Sequence, residues 1–454
     1  MSTTMKQVPL ADAGVELSES FNLRPFWMPF TSNRAFKQQP RLIESASGHY
    51  YTTPDGRRLF DTFSGLWTTG LGHCHPKIVE AVQKQVAKLD YAIAFQVSHP
   101  GAFELAEKVV DIAPKGFDHC FFVNSGSEAV DTALKIALAY HRAKGEGTRN
   151  RFIGRERGYH GVNFGGMSVG GMPSNRKVFN GSLLPNVTHL AHTHLPEKNA
   201  FSRGQPAHGA HLADELERFV TFYDASNIAA VIVEPVAGSA GVLVPPLGYL
   251  EKLREICTRH GILLIFDEVI TGFGRTGAAF ASERFNIKPD IITVAKGITN
   301  GVIPMGAVLV GKEIHDAFMN GPEHLVEFFH GYTYSGHPVA TAAGLATLDA
   351  YKEEGTFAQA RSLEKSFEDA IHAMGDAPHV VDIRNFALMG CIELAPRPGA
   401  PGARGMDVHL KCWEAGLVVR AGMDNISFSP FLNSTPDEFA MIFDTLRRVF
   451  KTID

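Results

Sequence analysis

Short, wholly apolar segments alternate with stretches whose apolar residues recur at helical spacing, and this alternation constrains the fold more than any other feature. Residues 120–123, 230–233, 262–266, 291–294 and 307–310 each read as a short strand buried on both faces. Between them, Ala129, Val130, Ala133, Leu134, Ile136 and Ala137 mark one helix, and residues 249–260 another. Fully apolar strands separated by helices predict an α/β fold with a mostly parallel sheet covered on both faces. Upstream, residues 43–63 suit short strands with a turn at Pro54-Asp55-Gly56, and Pro76 opens a helix carrying Ile78, Val79, Val82 and Val86. Around Gly336 the pattern changes. A long small-residue helix over 339–351 begins a series of helices and shorter strands, with 411–422 and 436–450 bracketing the last strand region. The reading is a large domain over 71–325 and a smaller domain built from 1–70 and 326–454. Residues 1–23 read as a poorly ordered lead-in, and 395–402 as a surface loop.

Charge and composition exclude several classes of function. The 454 residues carry a net charge of −5 with both signs mixed along the chain, so there is no basic block to serve a nucleic acid. No apolar run approaches the roughly 18 residues of a membrane span, and the first residues have no signal-peptide core. The five cysteines (Cys74, Cys120, Cys257, Cys391, Cys412) are scattered and none forms C-x-x-C. That suits a reducing, cytoplasmic setting rather than a disulfide framework or zinc cluster.

Three features sit where ligands collect in an open α/β sheet, beyond the carboxyl ends of strands. Asp267 and Glu268 directly follow five apolar residues. A carboxylate there is poorly solvated and needs a positive or donor partner; its plain use is to cap the next turn. Lys296 ends another apolar strand between Ala295 and Gly297. Desolvation lowers a lysine's pKa and frees its amine to attack a carbonyl, although most such lysines simply reach the surface. The third is Asn124-Ser125-Gly126-Ser127-Glu128, where a strand runs into a helix. Ser125 and Glu128 match a capping box, while Gly126 lets backbone amides approach an anion at a helix N-terminus. An amine that forms an imine, a buried carboxylate and a phosphate cradle together are what pyridoxal phosphate requires.

Two other patterns carry less. Gly272-Phe273-Gly274-Arg275-Thr276-Gly277 fits the dinucleotide pattern G-x-G-x-x-G, with Asp290 downstream. The glycines do not follow the strand directly, and the intervening Asp267 and Glu268 would repel a pyrophosphate. His73-Cys74-His75 and His192-Thr193-His194 lack matching ligands at recognised spacing, so no metal site is expected.

The block from Asp267 to Gly277, followed by Lys296-Gly297, resembles the signature of the class III aminotransferases, which are fold-type I pyridoxal-phosphate enzymes. The resemblance runs from Gly65-Leu66-Trp67 to Val419-Arg420. Residues 294–301 and 333–338 are most similar to the ω-amino acid:pyruvate branch. It implies a large domain with a seven-stranded sheet between helices and a smaller α+β domain. Lys296 would hold the cofactor and, once displaced, move a proton; Asp267 would pair with the ring nitrogen. Val269 and Tyr159 would pack on the two ring faces, and Gly126 and Ser127 would bind the phosphate. Thr333 would reach the phosphate of a neighbouring subunit, which makes a homodimer, or a dimer of dimers, a condition of activity. Arg420 would bind a substrate carboxylate, and Trp67 would line the substrate pocket, though it reads equally as a core residue. Glu234, after an apolar strand, is a switch partner for Arg420. Ser427 departs from the branch, which has a longer polar side chain there.

The implied reaction moves the amino group of an ω-amino acid such as β-alanine to pyruvate in two half-reactions. Three competitors stand beside it. An aminomutase or racemase on the same fold would need no second keto acid. A transaminase preferring carboxylate-free amines would not need Arg420. A non-catalytic binding protein would have lost Lys296 or Asp267, and both are present.

Overall fold

A computed structural model describes residues 22–454, so the expected lead-in lies almost wholly outside the described residues. Fifteen strands form three sheets among these residues. The first three are β1 (Ser45–Ser47), β2 (Tyr50–Thr52) and β3 (Arg58–Asp61). Seven follow: β4 (His119–Val123), β5 (Arg151–Arg155), β6 (Val187–Leu190), β7 (Ile228–Val233), β8 (Leu263–Asp267), β9 (Ile291–Ala295) and β10 (Gly306–Val310). The last are β11 (Val380–Phe386), β12 (Met389–Leu394), β13 (Leu417–Val418), β14 (Arg420–Gly422) and β15 (Asn425–Phe428).

The central sheet has the order β4-β10-β9-β8-β7-β5-β6. Only β10 runs antiparallel to its neighbours, so the mostly parallel sheet of seven strands is found. Strands β7 to β10 are buried at every residue. Their side chains alternate between faces. Val231 and Val233 join one apolar cluster, while Ala230 and Ile232 join another. The helices Gly126–Ala143 and Tyr249–His260 fall on the predicted patterns, as does Pro338–Glu353.

The apolar pattern misses β5 and β6. Val187-Thr-His-Leu190 is an edge strand of mixed polarity, and β5 carries Gly154. That glycine leaves no room for a Cβ against the backbone carbonyl of Val169. The two chain ends meet where β13 lies parallel to β3, Leu417 beside Phe60. β11, β12, β15 and β14 form the third sheet. Among the described residues no helix is long and apolar enough to cross a membrane.

Candidate active site

A cavity of about 280 Å3 opens at the carboxyl ends of the central strands. Ser125, Gly126 and Ser127 line it just past β4, Tyr159 and Gly161 past β5, and Glu234 past β7. Asp267 is the last residue of β8, and Lys296 follows β9. The structure therefore brings seven of the predicted residues to one place: Gly126, Ser127, Tyr159, Glu234, Asp267, Val269 and Lys296.

Lys296 adopts φ +50°, a left-handed conformation that costs a non-glycine residue energy. Its surroundings hold it there. The Gly301 amide donates back to the Lys296 carbonyl at 3.3 Å, and Tyr351 Oη donates to the Gly297 carbonyl at 2.9 Å. The Lys296 amine has no hydrogen bond or ion pair among the described residues. Burial pulls its pKa down, against the pull of Asp267 and Glu234 upward.

The Asp267 carboxylate is buried but well supplied with donors. Oδ2 accepts from His160 Nδ1 at 2.8 Å; Oδ1 accepts from the Val269 amide at 3.1 Å and Thr293 Oγ1 at 3.2 Å. His160 is the functional neighbour that sequence reasoning missed. It is 1% exposed, and its Nε2 has no partner among the described residues. Glu268 takes the capping role anticipated for this carboxylate pair. It accepts from Thr271 Oγ1 and from the Ala281 and Ser282 amides, at the start of the helix Ala281–Phe285.

The helix start behaves as expected with one change of partner. Ser125 Oγ accepts from the Glu128 amide at 3.2 Å, but the Glu128 carboxylate accepts from the Asn124 amide instead of that of Ser125. A Cβ on Gly126 would lie 2.8 Å from Val269 Cγ1, and one on Gly161 would lie 2.7 Å from Ser127 Cα. Only glycine fits these walls of the cradle. Ser127 Oγ also accepts from the Val162 amide at 3.1 Å, tying the helix start to the Tyr159 loop.

Glu234 accepts from the Tyr159 amide at 2.9 Å and the Gly238 amide at 3.2 Å. Burial pushes its carboxyl up to about 7, with His160 opposing the rise and Asp267 adding to it. Both Glu234 oxygens thus accept from backbone amides, and no ion pair joins Glu234 to its expected switch partner Arg420 among the described residues. Arg420 is exposed on β14, opposite Ser427 in the ladder, and makes no ion pair among the described residues. Trp67 does not line the cavity. It packs on Phe63 with ring centroids 4.6 Å apart and is 5% exposed, so it is a core residue here; its neighbour Thr68 lines the cavity instead. Thr333 is exposed, its carbonyl accepting from Tyr91 Oη at 3.0 Å.

The competing motifs have structural uses. In the glycine-rich segment the amides of Gly272, Phe273, Gly274 and Gly277 all donate to nearby carbonyls of residues 268–279, leaving none of the four for a pyrophosphate. Arg275 is buried and donates to the carbonyls of Pro430 and Leu388. His73 bonds Asp61 and His75 bonds Glu354. His194 clusters with Asp382 and Glu393, but Arg384 Nη1 already lies 2.5 Å and 2.6 Å from those two carboxylates.

The family profile "Aminotransferase class-III" matches residues 31–450, and the chain belongs to the class-III aminotransferases. It is 59% identical over 433 residues to the ω-aminotransferase of Caulobacter vibrioides, covering 95% of this chain and 98% of that protein. It is 51% identical to the β-alanine–pyruvate aminotransferase of Pseudomonas aeruginosa, covering 95% and 96%. The ω-transaminase of Pseudomonas jessenii in complex with PMP superposes with a TM-score of 0.89 at 33% identity, covering 95% and 96%. The protein is thus an aminotransferase of fold-type I, acting on a small-molecule amino donor and acceptor.

Proposed function

We propose that this aminotransferase uses pyridoxal phosphate to move the amino group of an ω-amino acid such as β-alanine, or of a primary amine, to pyruvate. The observation that carries this reading is the convergence of Lys296, Asp267 and the start of the helix Gly126–Ala143 on one cavity. The residues fit the cofactor. The cavity offers an unpaired amine, a carboxylate ringed by donors, and an anion-favouring helix end whose walls exclude a Cβ.

When bound, the cofactor supplies a carbonyl for the amine and an electron sink for the carbon that loses its proton. Lys296 holds it and, once displaced, serves as the base and acid that carries the proton, its lowered pKa suiting both tasks. Asp267 keeps the proton on the ring nitrogen, oriented by His160. Val269 and Tyr159 confine the ring, and Glu234 fixes Tyr159 through its backbone amide. Gly126 and Ser127 receive the phosphate.

Thr333 completes the neighbouring subunit's phosphate site in a homodimer. The exposed apolar surface around it supports this. Tyr91, Phe95 and Tyr334 are 38%, 55% and 57% exposed, and the 91–95 and 331–334 segments touch. Residues 71–325 form the cofactor-binding domain and the two chain ends the smaller one. We place the enzyme in the cytoplasm, in keeping with its scattered cysteines, all free.

Alanine formation from β-alanine and pyruvate tests the reaction. Turnover that needs no pyruvate would instead mark an isomerase. One observation favours donors without a carboxylate: Arg420 stands exposed and does not line the cavity. Arg420→Ala separates the readings. A carboxylate role predicts that β-alanine turnover falls while 1-phenylethylamine turnover is kept; equal retention of both contradicts it.

A further inference from the structure

A second cleft lies beyond the carboxyl ends of β5 and β6, at the far edge of the central sheet. It encloses about 610 Å3, and its lining includes Glu156, Arg157, Arg176, Lys177, His189 and His192. It shares no lining residue with the cavity of Lys296. Arg157 and His192 each stand two residues past a strand end, Arg155 of β5 and Leu190 of β6. That is where open α/β sheets collect ligands.

The cleft is cationic and several of its donors are unspent among the described residues. Arg157 and Lys177 make no ion pair or side-chain hydrogen bond among the described residues. Arg176 is fixed in place, its Nη1 donating to the carbonyls of Met167, Ser168 and Gly170 at the end of the helix Phe164–Val169. Its Nε and Nη2 stay free of protein partners among the described residues. His192 has a buried Nδ1 with no partner. Burial, with Arg157 beside it, holds this imidazole below its ordinary pKa, so it lends a hydrogen bond without a charge. Three cations face the single carboxylate of Glu156, a local charge of +2.

We propose that this cleft binds a compact oxyanion carrying two negative charges, the chemistry shared by a phosphate monoester and a small dicarboxylate. The pre-fixed guanidinium of Arg176 offers planar donors at little entropic cost. Arg157 and Lys177 supply the rest of the positive charge, and the ring of His192 lines the wall. The site is separate from the cofactor cradle and from the transamination chemistry.

Titration calorimetry on the cofactor-loaded enzyme at low salt tests this, with inorganic phosphate in one arm and succinate in the other. The cofactor keeps its own phosphate site filled, so heat from phosphate reports the second cleft. The expected result is saturable binding of one anion per chain, weakened about tenfold for each cation removed in Arg157→Gln and Lys177→Gln. Both variants keep the parent's turnover in the absence of added anion. Phosphate alone binding marks a phosphoryl ligand, succinate alone a dicarboxylate, and both a site that reads charge. No saturable heat in either arm overturns the proposal, as does an affinity unchanged in both variants. Lys177 is exposed, so its variant folds and keeps the test decisive even if Arg157→Gln does not.

Discussion

At the scale of single residues, the site is an arrangement of buried charges that need one another. Asp267 accepts from the Val269 amide, Thr293 and His160, and faces the cavity with a carboxylate held in place. Asp267→Asn is expected to keep the cofactor but lose most turnover, because an amide cannot hold a proton on a ring nitrogen. Steady-state rates and the absorption of the purified variant check both halves. Lys296→Ala removes the proton carrier and is expected to cost at least roughly 10²–10⁴-fold in rate. Glu234 gives a pH prediction. Its carboxyl rises from 4.5 to about 7 on folding, so the folded state binds the proton more tightly. Its contribution is fully present below pH 4.5 and is lost as pH rises through 7. Thermal melts of the cofactor-free protein between pH 5 and 8 should show that decline together with that of Glu268, whose carboxyl burial also pushes up to about 7, and Glu234→Gln should make the slope shallower. A slope unchanged in the variant contradicts the assignment. His160 and the backbone amides that Glu234 holds were not legible in the sequence. The His160–Asp267 contact spans 107 positions of the chain, and a histidine beside a tyrosine and a glycine carries no local sign of it.

At the scale of elements, the strand ends and helix starts make the site. The strand that ends in Asp267 and the strand just before Lys296 were legible because burial on both faces leaves them almost wholly apolar, with Thr293 alone interrupting the run. β5 and β6 were not, since an edge position and a glycine pressed against a neighbouring carbonyl erase the apolar signal. The helix Gly126–Ala143 depends on Ser125 for its cap. Ser125→Ala is expected to cost about 1 kcal/mol of stability, read as a small drop in melting temperature. It should also loosen the cofactor, because the free amides of the first turn lose their fixed direction. Trp67 shows the opposite limit. A motif match points it at the substrate, whereas its packing on Phe63 makes it part of the core. The turn before it supplies the reason. Ser64, Gly65 and Trp67 all take positive φ, with Asp61 accepting from the Phe63 and Gly65 amides, and this turns the indole inward.

At the scale of the molecule, a charge network ties the C-terminal sheet to the loop after β7. Arg384 on β11 donates to Asp382 and Glu393, to Asn425 on β15, and to the carbonyl of Gly241 in the loop after β7. Burying those carboxylates without the guanidinium is costly. Arg384→Met is therefore expected to lose roughly 3–5 kcal/mol, seen as a lower melting temperature and a lower denaturant midpoint. Retention of the parent's stability would show that the network is dispensable. The alternation of strands and helices announced the seven-stranded sheet; the joining of β3 to β13 across more than 350 residues leaves no trace in local pattern.

Lys296 and Asp267 are expected to serve one cofactor in two half-reactions. The most direct measurement is the visible absorption of the purified, pyridoxal-phosphate-loaded protein, titrated first with β-alanine and then with pyruvate. The expected result is a yellow band that bleaches with the amine and returns with the keto acid. A protein that develops no band on adding pyridoxal phosphate would contradict it, removing the roles of Lys296 and Asp267 together.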